Sequence, residues 1–451
     1  MRFDPKSLKG KKAGVLGLGK SGIAAARLLA SKGFKVFGSD SRPRAEVGKS
    51  LGKLASKIEW EGGRHSEKLL KRAFVVKSPG LPPGLPILQK LKEAKVPVFS
   101  ELDVALAFTK ADEVVAVTGT NGKTTTTALT GAIFGKRAVV CGNIGTAISD
   151  VAPKAGRKDV LVVEASSYQL EDSVYFRPNA ACILNITADH LDHHGSMQKY
   201  IDAKARVFRD QQRGDTCVFN AVDPLTYKLA RRCQGRRLFF GHKGGHAHAW
   251  VDDGKIVCRL PGQKKEVKLS PPKLPGEHNL ENAMAAALMA LSRGVKPARI
   301  QKAFKSFKGV EHRLEEAGTF HGLRCVNDSK ATNVDSTLVA LKALEKDASP
   351  IFLILGGQHK GSPYTPLRSL IERKVKAILT IGAAAGKVEE DLAGAAPIFP
   401  CGDLRTAVET AFKIGSKGET LLLSPACASF DQFENFEERG RLFKDLVRRL
   451  S

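Results

Sequence analysis

The run that most restricts what this chain can fold into is Val114-Val115-Ala116-Val117 with its continuation, Thr118-Gly119-Thr120-Asn121-Gly122-Lys123-Thr124. A short β-branched stretch reads as a buried strand, and the Gly/Thr-rich loop after it opens a helix. Strand, tight loop and helix N-terminus in that order point to an α/β fold in which loop N–H groups can wrap an anion. Backbone N–H groups there suit a triphosphate, Lys123 can counter its charge, and the Thr124 hydroxyl can ligate Mg²⁺. The strict pattern G-x-x-x-x-G-K-[ST] needs glycine at 117, where this chain has Val117, so the loop is a shortened variant.

The same alternation runs through the whole chain. Lys12 to Gly17, Lys35 to Ser39 and Phe74 to Lys77 read as strands, and Ile23 to Ser31 as a helix. After the phosphate loop, Val160 to Val163 and Ala180 to Leu184 are strand-like. Residues 215–272 differ, with short β-rich runs and a hairpin across Asp252-Asp253-Gly254. A helix from Leu280 to Ser292 follows. A third α/β pattern begins near Gly309, with strands at Ile351 to Leu355, Ala377 to Thr380 and Thr420 to Leu423, and a terminal helix at Glu437 to Leu450. At 451 residues the chain exceeds a single core, and about 150 residues per domain predicts roughly three. The expected architecture is an N-terminal Rossmann-like domain (1–101), a central P-loop-type ATPase domain with a parallel sheet and a small β-rich part (102–309), and a C-terminal Rossmann-like domain (310–451).

Composition narrows the function classes. No apolar run approaches the roughly 18 residues of a membrane span, and Met1 to Gly10 lacks the apolar core of a secretory signal, so a cytoplasmic protein is expected. The eight cysteines are scattered with no Cys-x-x-Cys pair, which fits small buried hydrophobes better than a zinc site or disulfides. The net charge of +26 would suit a polyanion, yet the excess is spread along the chain and aromatics are only 6%, so a solvated basic surface is expected and no nucleic acid.

A second loop, Gly17-Leu18-Gly19-Lys20-Ser21-Gly22, fits G-x-G-x-x-G between a strand and a helix, with Asp40 ending the next strand. Such a loop brings backbone to a diphosphate while the acid meets a ribose. An NAD site, another nucleotide-diphosphate site and a plain tight turn all satisfy it. Glu164 ends a strand where a carboxylate can face a ligand, or it N-caps the next helix. The run Asp189-His190-Leu191-Asp192-His193-His194 invites a divalent cation. Lys204 lies on a helical stretch, Tyr200 to Phe208, and spacing alone gives it no role.

Gly119-Thr-Asn-Gly-Lys-Thr124 resembles the loop of the Mur ligases and their folylpolyglutamate synthase relatives. Gly142-Asn143-Ile144-Gly145, Glu164-Ala165-Ser166-Ser167-Tyr168-Gln169-Leu170, Asn185 to Asp192, His278-Asn279-x-x-Asn282 and His312-Arg313-Leu314-Glu315 are similar to further Mur segments in the same order. The runs Asn327 to Asn333 and Ser424 to Phe433 resemble the D-glutamate-adding members, and the Asp-Asn-Pro-Arg run of the diaminopimelate- or lysine-adding members is absent. Phe430 stands where those members commonly carry leucine.

The resemblance implies ATP-dependent amide-bond formation with two Mg²⁺ sites, on UDP-N-acetylmuramoyl-L-alanine and D-glutamate, by a monomer. For ATP it implies Gly119, Thr120, Asn121, Gly122, Lys123, Thr124, Thr125, Asn282, Arg313 and Asp328. For the uridine diphosphate it implies Gly19, Lys20, Ser21, Asp40, Ser41, Arg42, Ser78 and Gly80, with Asn143 on the same substrate. Thr124, Glu164, His190 and a carbamylated Lys204 would hold metal, and Lys123, His190, Lys204 and Lys330 would serve catalysis. Thr332, Lys360, Ser429, Phe430 and Phe436 would receive D-glutamate beside Lys330. Another ligase of the superfamily, an NAD(P)-linked dehydrogenase using the first loop and a nucleic-acid-stimulated ATPase remain as alternatives.

Overall fold

Five short strands with buried residues build the first sheet: β1 (Lys12–Leu16), β2 (Lys35–Ser39), β3 (Glu59–Glu61), β4 (Phe74–Lys77) and β5 (Val98–Ser100). All pair in parallel, in the order β3-β2-β1-β4-β5. Leu16 lies beside Ser39 on one side and Lys77 on the other. The next residues, Gly17, Asp40 and Ser78, therefore leave the sheet together at its carboxyl edge, where the strand order reverses and α/β sheets bind ligands. The computed structural model describes residues 3–4, 7–8, 10–345, 347–359 and 361–450. It divides into one unit of Met1–Pro272 with Leu280–Phe307 and a second of Lys273–Asn279 with Lys308–Ser451.

The second sheet of the first unit contains β6 (Glu113–Thr118), β7 (Ala138–Gly142), β8 (Val160–Glu164), β9 (Ala180–Ile183), β10 (Thr216–Asn220), β11 (Arg236–Phe240), β12 (Ala249–Asp252), β13 (Lys255–Cys258) and β14 (Val267–Leu269). Its order is β14-β13-β12-β11-β10-β9-β6-β8-β7. The β-rich segment 215–272 thus extends the same sheet: β10 and β11 continue it in parallel, and β12 to β14 finish it as antiparallel hairpins. The expected hairpin turns at Asp253 and Gly254, both at positive φ (47° and 66°), as a type I′ turn requires. Alternate residues of β6 feed opposite cores. Val115 and Val117 pack with Leu129, Ile133, Ala283, Ala287 and Phe304. Val114 and Ala116 pack with Leu161, Ile148, Tyr200 and Phe208. A sheet covered on both faces explains why its strands read as unbroken apolar runs.

The second unit is built on β15 (Glu315–Phe320), β16 (Leu323–Asn327), β17 (Ile351–Gly356), β18 (Val375–Ile381), β19 (Ile398–Gly402) and β20 (Thr420–Leu423), in the order β15-β16-β20-β17-β18-β19. Only β15 is antiparallel among these described strands. Asn327 pairs with Leu423, so Asp328 and Ser424 emerge side by side. The terminal helix, Phe436–Arg449, is N-capped by the Asn435 side chain and carries Glu437 and Glu438 in its first turn and Arg448 and Arg449 in its last. That charge order matches the helix dipole.

All eight cysteines are free; Cys401 is partly exposed and the rest are buried, in line with the small-hydrophobe reading. No helix of the described residues is long and apolar enough to cross a membrane.

Candidate functional site

At the edge of the first sheet, Asp40 ties the loop together. Its carboxylate accepts the Leu18 N–H at 2.6 Å and the Arg42 N–H and Nε–H at 2.9 and 3.0 Å. Burial pushes its pKa up, but the hydrogen bonds from Arg42 and Leu18 win and hold it below the usual carboxylate value. Arg42 also donates to the Leu18 carbonyl at 2.8 Å, and Lys20 Nζ reaches the Gly145 carbonyl at 2.5 Å. Ser78 N–H bonds the Leu16 carbonyl, which keeps the Ser78–Gly80 turn beside the loop. Ser21 bonds to the buried Glu101, while Ser41 and Gly80 are exposed.

The second sheet sets the phosphate loop between two other strand ends. In register, Val117 pairs with Glu164 of β8 and Thr118 with Ile183 of β9. The Asn185 side chain, just beyond β9, accepts the Thr120 and Asn121 N–H groups at 3.1 and 2.8 Å, and so fixes the loop's shape. The Thr120 hydroxyl lies 3.1 Å from the Tyr200 hydroxyl. Gly122 caps the helix Lys123–Phe134 at φ 83°, and a Cβ there would fall 2.3 Å from Asn282 Oδ1. Glycine is thus required twice, by conformation and by the approach of Asn282, whose Oδ1 also accepts the Thr126 hydroxyl at 3.1 Å. Thr124 and Thr125 are buried at the helix start. Lys123 Nζ folds back over the loop, donating to the Gly119 and Thr120 carbonyls at 3.0 and 2.7 Å.

Lys204 converges on the same carbonyl. It sits on the helix Met197–Arg209, is 1% exposed, and donates to Gly119 O at 2.7 Å. Burial, then the charge of Lys123, push its pKa well below the ordinary lysine value. A buried amine held towards its neutral form is a nucleophile rather than a surface charge. Glu164 lies close by in the sheet, 1% exposed, with Oε1 accepting Asn143 Nδ2 at 2.8 Å. Its other oxygen is buried without a hydrogen-bond partner. A buried carboxylate oxygen without a donor is costly, and a divalent cation would satisfy it; with the Thr124 hydroxyl, the donor set is the oxygen-rich one that suits Mg²⁺. The N-cap alternative for Glu164 is corrected: Ser166 caps the helix Ser167–Glu171 in a capping box with Gln169.

His190 begins the short helix Leu191–His194 at φ 54°, with Nε2 3.3 Å from Asp189. Burial lowers its pKa, Asp189 opposes this and the charge of Lys123 reinforces it, which favours the neutral ring that a metal needs. His193 and His194, left without a role by the sequence, bond Glu171 at 2.8 Å and Ser167 at 3.0 Å and pack on the Tyr168 ring. They hold the loop that presents His190.

The remaining expected residues lie in the second unit. Arg313 sits between His312 (φ 63°) and Leu314 (φ 42°), two non-glycine residues in the left-handed region. Burial and the Arg313 charge push His278 down to about 4. Asp328 accepts the Ser424 hydroxyl at 2.8 Å and the Leu314 N–H at 3.2 Å. Burial outweighs these bonds and raises its pKa to about 7. Lys330 Nζ stands 5.4 Å from the centre of the Phe436 ring. The Thr332 N–H bonds the Lys330 carbonyl, Ser429 is buried, and Phe430 is 69% exposed. Lys360 lies outside the described residues.

Sequence reasoning missed Asn185 and Tyr200 as supports of the phosphate loop, and Arg439 altogether. Arg439 is fully buried, with its guanidinium between the Ser329 and Cys427–Ala428 segments. The signal was present: it stands on the apolar stripe of the terminal helix with Phe443, Leu446 and Val447, where an arginine breaks the pattern.

Comparison with known proteins agrees with this geometry. Residues 11–100 match the Mur ligase MurD-like N-terminal domain, 117–290 the Mur ligase middle domain and 312–427 the Mur ligase glutamate ligase domain. The UDP-N-acetylmuramoylalanine–D-glutamate ligase of Elusimicrobium minutum (strain Pei191) is 48% identical over 461 residues, covering 99% of this chain and 100% of the relative. That of Koribacter versatilis (strain Ellin345) is 43% identical, covering 98% of each. Among solved structures, the UDP-N-acetylmuramate–alanine ligase MurC of Thermotoga maritima aligns with a TM-score of 0.63 at 22% identity, over 98% of this chain and 100% of that one. The MurF ligase of Thermotoga maritima, in complex with ADP, aligns with a TM-score of 0.60 at 16% identity, over 92% and 96%. The latter two show the shared fold. With full-length identity of this order and matching domains along its length, the chain belongs to the Mur ligase family.

Proposed function

We propose that this chain is the ATP-dependent ligase that joins D-glutamate to UDP-N-acetylmuramoyl-L-alanine in peptidoglycan precursor synthesis. The observation that carries the chemistry is the shortened phosphate loop between Glu164 and Asn185, with the Lys123 and Lys204 amines meeting at the Gly119 carbonyl. The choice of D-glutamate is supported by the 327–333 and 424–433 runs and by full-length relatives that carry that name.

Residues 1–101 would bind the uridine diphosphate through Gly19, Lys20, Ser21, Asp40, Ser41, Arg42, Ser78 and Gly80, and Asn143 would touch the same substrate. Residues 102–309 would bind ATP, and residues 310–451 the amino acid. The substrate carboxylate attacks the γ-phosphorus of ATP, so that an acyl phosphate forms and ADP leaves. The D-glutamate amine then adds to the acyl carbon; the tetrahedral intermediate expels phosphate, and the nitrogen loses a proton. The protein's part is positioning and stabilisation of the charge that develops on phosphoryl and acyl oxygens. Loop N–H groups and Lys123 would hold the phosphates, with Asn282 at the base, Arg313 at the phosphates and Asp328 at the ribose. Lys330, Thr332, Lys360, Ser429, Phe430 and Phe436 would receive D-glutamate.

Thr124 and Glu164 would hold one Mg²⁺, and His190 and Lys204 a second. Bound there, the ions would neutralise phosphate charge. For that role the neutral Lys204 amine would add to CO₂ and release a proton, becoming a carbamate. The protein would act as a cytoplasmic monomer.

Phosphate release is measured with ATP, UDP-N-acetylmuramoyl-L-alanine and, in turn, D-glutamate, L-glutamate, L-alanine or diaminopimelate. Release that depends on D-glutamate is expected. Release with another amino acid instead would overturn the assignment.

A further inference from the structure

We infer that Arg439 is a positioning residue for the amino-acid pocket, fixing the Lys330 segment against the Ser429 segment. The inference rests on the proposed D-glutamate site.

The guanidinium joins two separate stretches of chain. Nε donates to Ser329 Oγ at 3.0 Å, and one terminal nitrogen to Ser329 O at 2.8 Å and Cys427 O at 3.2 Å. The other lies 3.5 Å from Ala428 O. Ser329 precedes Lys330, and Ala428 precedes Ser429, so one planar group spans the residues next to both halves of the pocket. Ser329 Oγ passes the link on to the Phe436 carbonyl at 2.8 Å. Phe436 itself stands under the Lys330 ammonium. The three proposed contacts Lys330, Ser429 and Phe436 therefore share one anchor. A guanidinium has donors in a fixed fork, so the angle between the two segments it joins is set by its own geometry.

The first turn of the terminal helix is shaped around this arrangement. Asn435 caps it by accepting the Glu438 N–H at 2.8 Å. Arg439 then points inward, and Gly440 lies against His312, where a Cβ would fall 2.3 Å from Nδ1. No other residue would let the helix approach the His312–Asn327 pair, which is joined at 2.9 Å.

The acceptors of Arg439 are carbonyl and hydroxyl oxygens, with no carboxylate among the described ones. A buried charge of this kind is costly to keep, and a salt bridge would have been the usual remedy. Burial pushes its pKa down to about 10, which still leaves it charged at neutral pH. Cys427, Asp431 and Asp328 oppose that fall. Arg439 touches no reacting atom in this scheme. It sets the spacing of the groups that do.

The test uses the full chain with Arg439→Met, which removes fork and charge, Arg439→Lys, which keeps charge alone, and Ser329→Ala, which removes the hydroxyl that accepts from Arg439 and donates to the Phe436 carbonyl. Steady-state phosphate release is measured against D-glutamate and, separately, against UDP-N-acetylmuramoyl-L-alanine. Arg439→Met is expected to raise the KM for D-glutamate at least 30-fold while the KM for the uridine nucleotide stays within twofold. Arg439→Lys should recover part of the loss, and Ser329→Ala should show a rise of about fivefold. A KM for D-glutamate within twofold of wild type in both Arg439→Lys and Ser329→Ala overturns the role. So does a parallel rise in both KM values, which marks a general structural loss. Absence of D-glutamate-dependent release from the wild-type protein would instead overturn the underlying reading of the reaction, and this role with it.

Discussion

Replacing Asp328 with asparagine separates what this carboxylate does for the substrate from what it does to the fold. Asp328 follows β16, is buried, and has a pKa raised from 3.8 to about 7 by loss of hydration, against the opposing Ser424 hydroxyl, Arg313 charge and Leu314 N–H. Because the folded value lies above the unfolded one, the folded state holds the proton more tightly. The group's contribution to stability is fully present below about pH 4 and is lost as pH rises to about 7. The slope is about 1.4 kcal/mol per pH unit, so the whole span is worth about 4 kcal/mol, with about 2.5 kcal/mol lost between pH 5 and 8. Asparagine cannot ionise, so in Asp328→Asn that slope should vanish while nucleotide affinity falls. Tryptophan fluorescence would miss the effect, since Trp60 and Trp250 both lie in the first unit. Amide hydrogen exchange of the β16 and β20 peptides, corrected for intrinsic rates, reports it directly. Wild-type protection should fall relative to the variant by about 2.5 kcal/mol from pH 5 to 8. Parallel pH profiles for the two proteins would refute the reasoning.

Other changes test the first unit. Gly122→Ala forces a Cβ to within 2.3 Å of Asn282 Oδ1 at φ 83°, so ATP affinity measured by calorimetry should drop at least tenfold with circular dichroism unchanged; unaltered affinity would contradict the loop geometry. Glu164→Gln replaces the unpartnered buried oxygen with an amide, and the Mg²⁺ concentration for half-maximal phosphate release should rise at least tenfold. An unchanged Mg²⁺ requirement would remove Glu164 from the metal set. Lys204→Met removes the buried amine, and activity should fall at least 100-fold; in the wild-type protein, intact mass and CO₂ dependence should reveal a carbamate. Failure of all three measurements would leave Lys204 a structural donor to Gly119.

Periodicity and turn chemistry made much of the fold legible. The strands Lys35–Ser39 and Phe74–Lys77 and the hairpin at Asp253–Gly254 follow from residue-level rules, because β-branched runs and left-handed turn residues act locally. Residues 215–272 read as a small β-rich part of the central domain; that β10 and β11 join its parallel sheet is settled only by pairing, because a strand's partner is not written in its own residues.

Residue types and their spacing determined by themselves that this chain carries a Gly/Thr-rich loop between a strand and a helix with Lys123 and Thr124 at the helix start, a second glycine loop with Asp40 after the next strand, and an acid, Glu164, at a strand end. Tertiary structure alone decided what surrounds them. It buried Lys204 on the Gly119 carbonyl, although its helix spacing marks an ordinary surface lysine. It left one Glu164 oxygen without a donor, and it set Arg439 between two loops separated by about a hundred residues in sequence. The physical reason is that loop and strand geometry arise from short-range sterics and hydrogen bonding. Desolvation, by contrast, depends on every segment packed around a group, and a protonation state or an unpaired charge is settled only once that packing is complete.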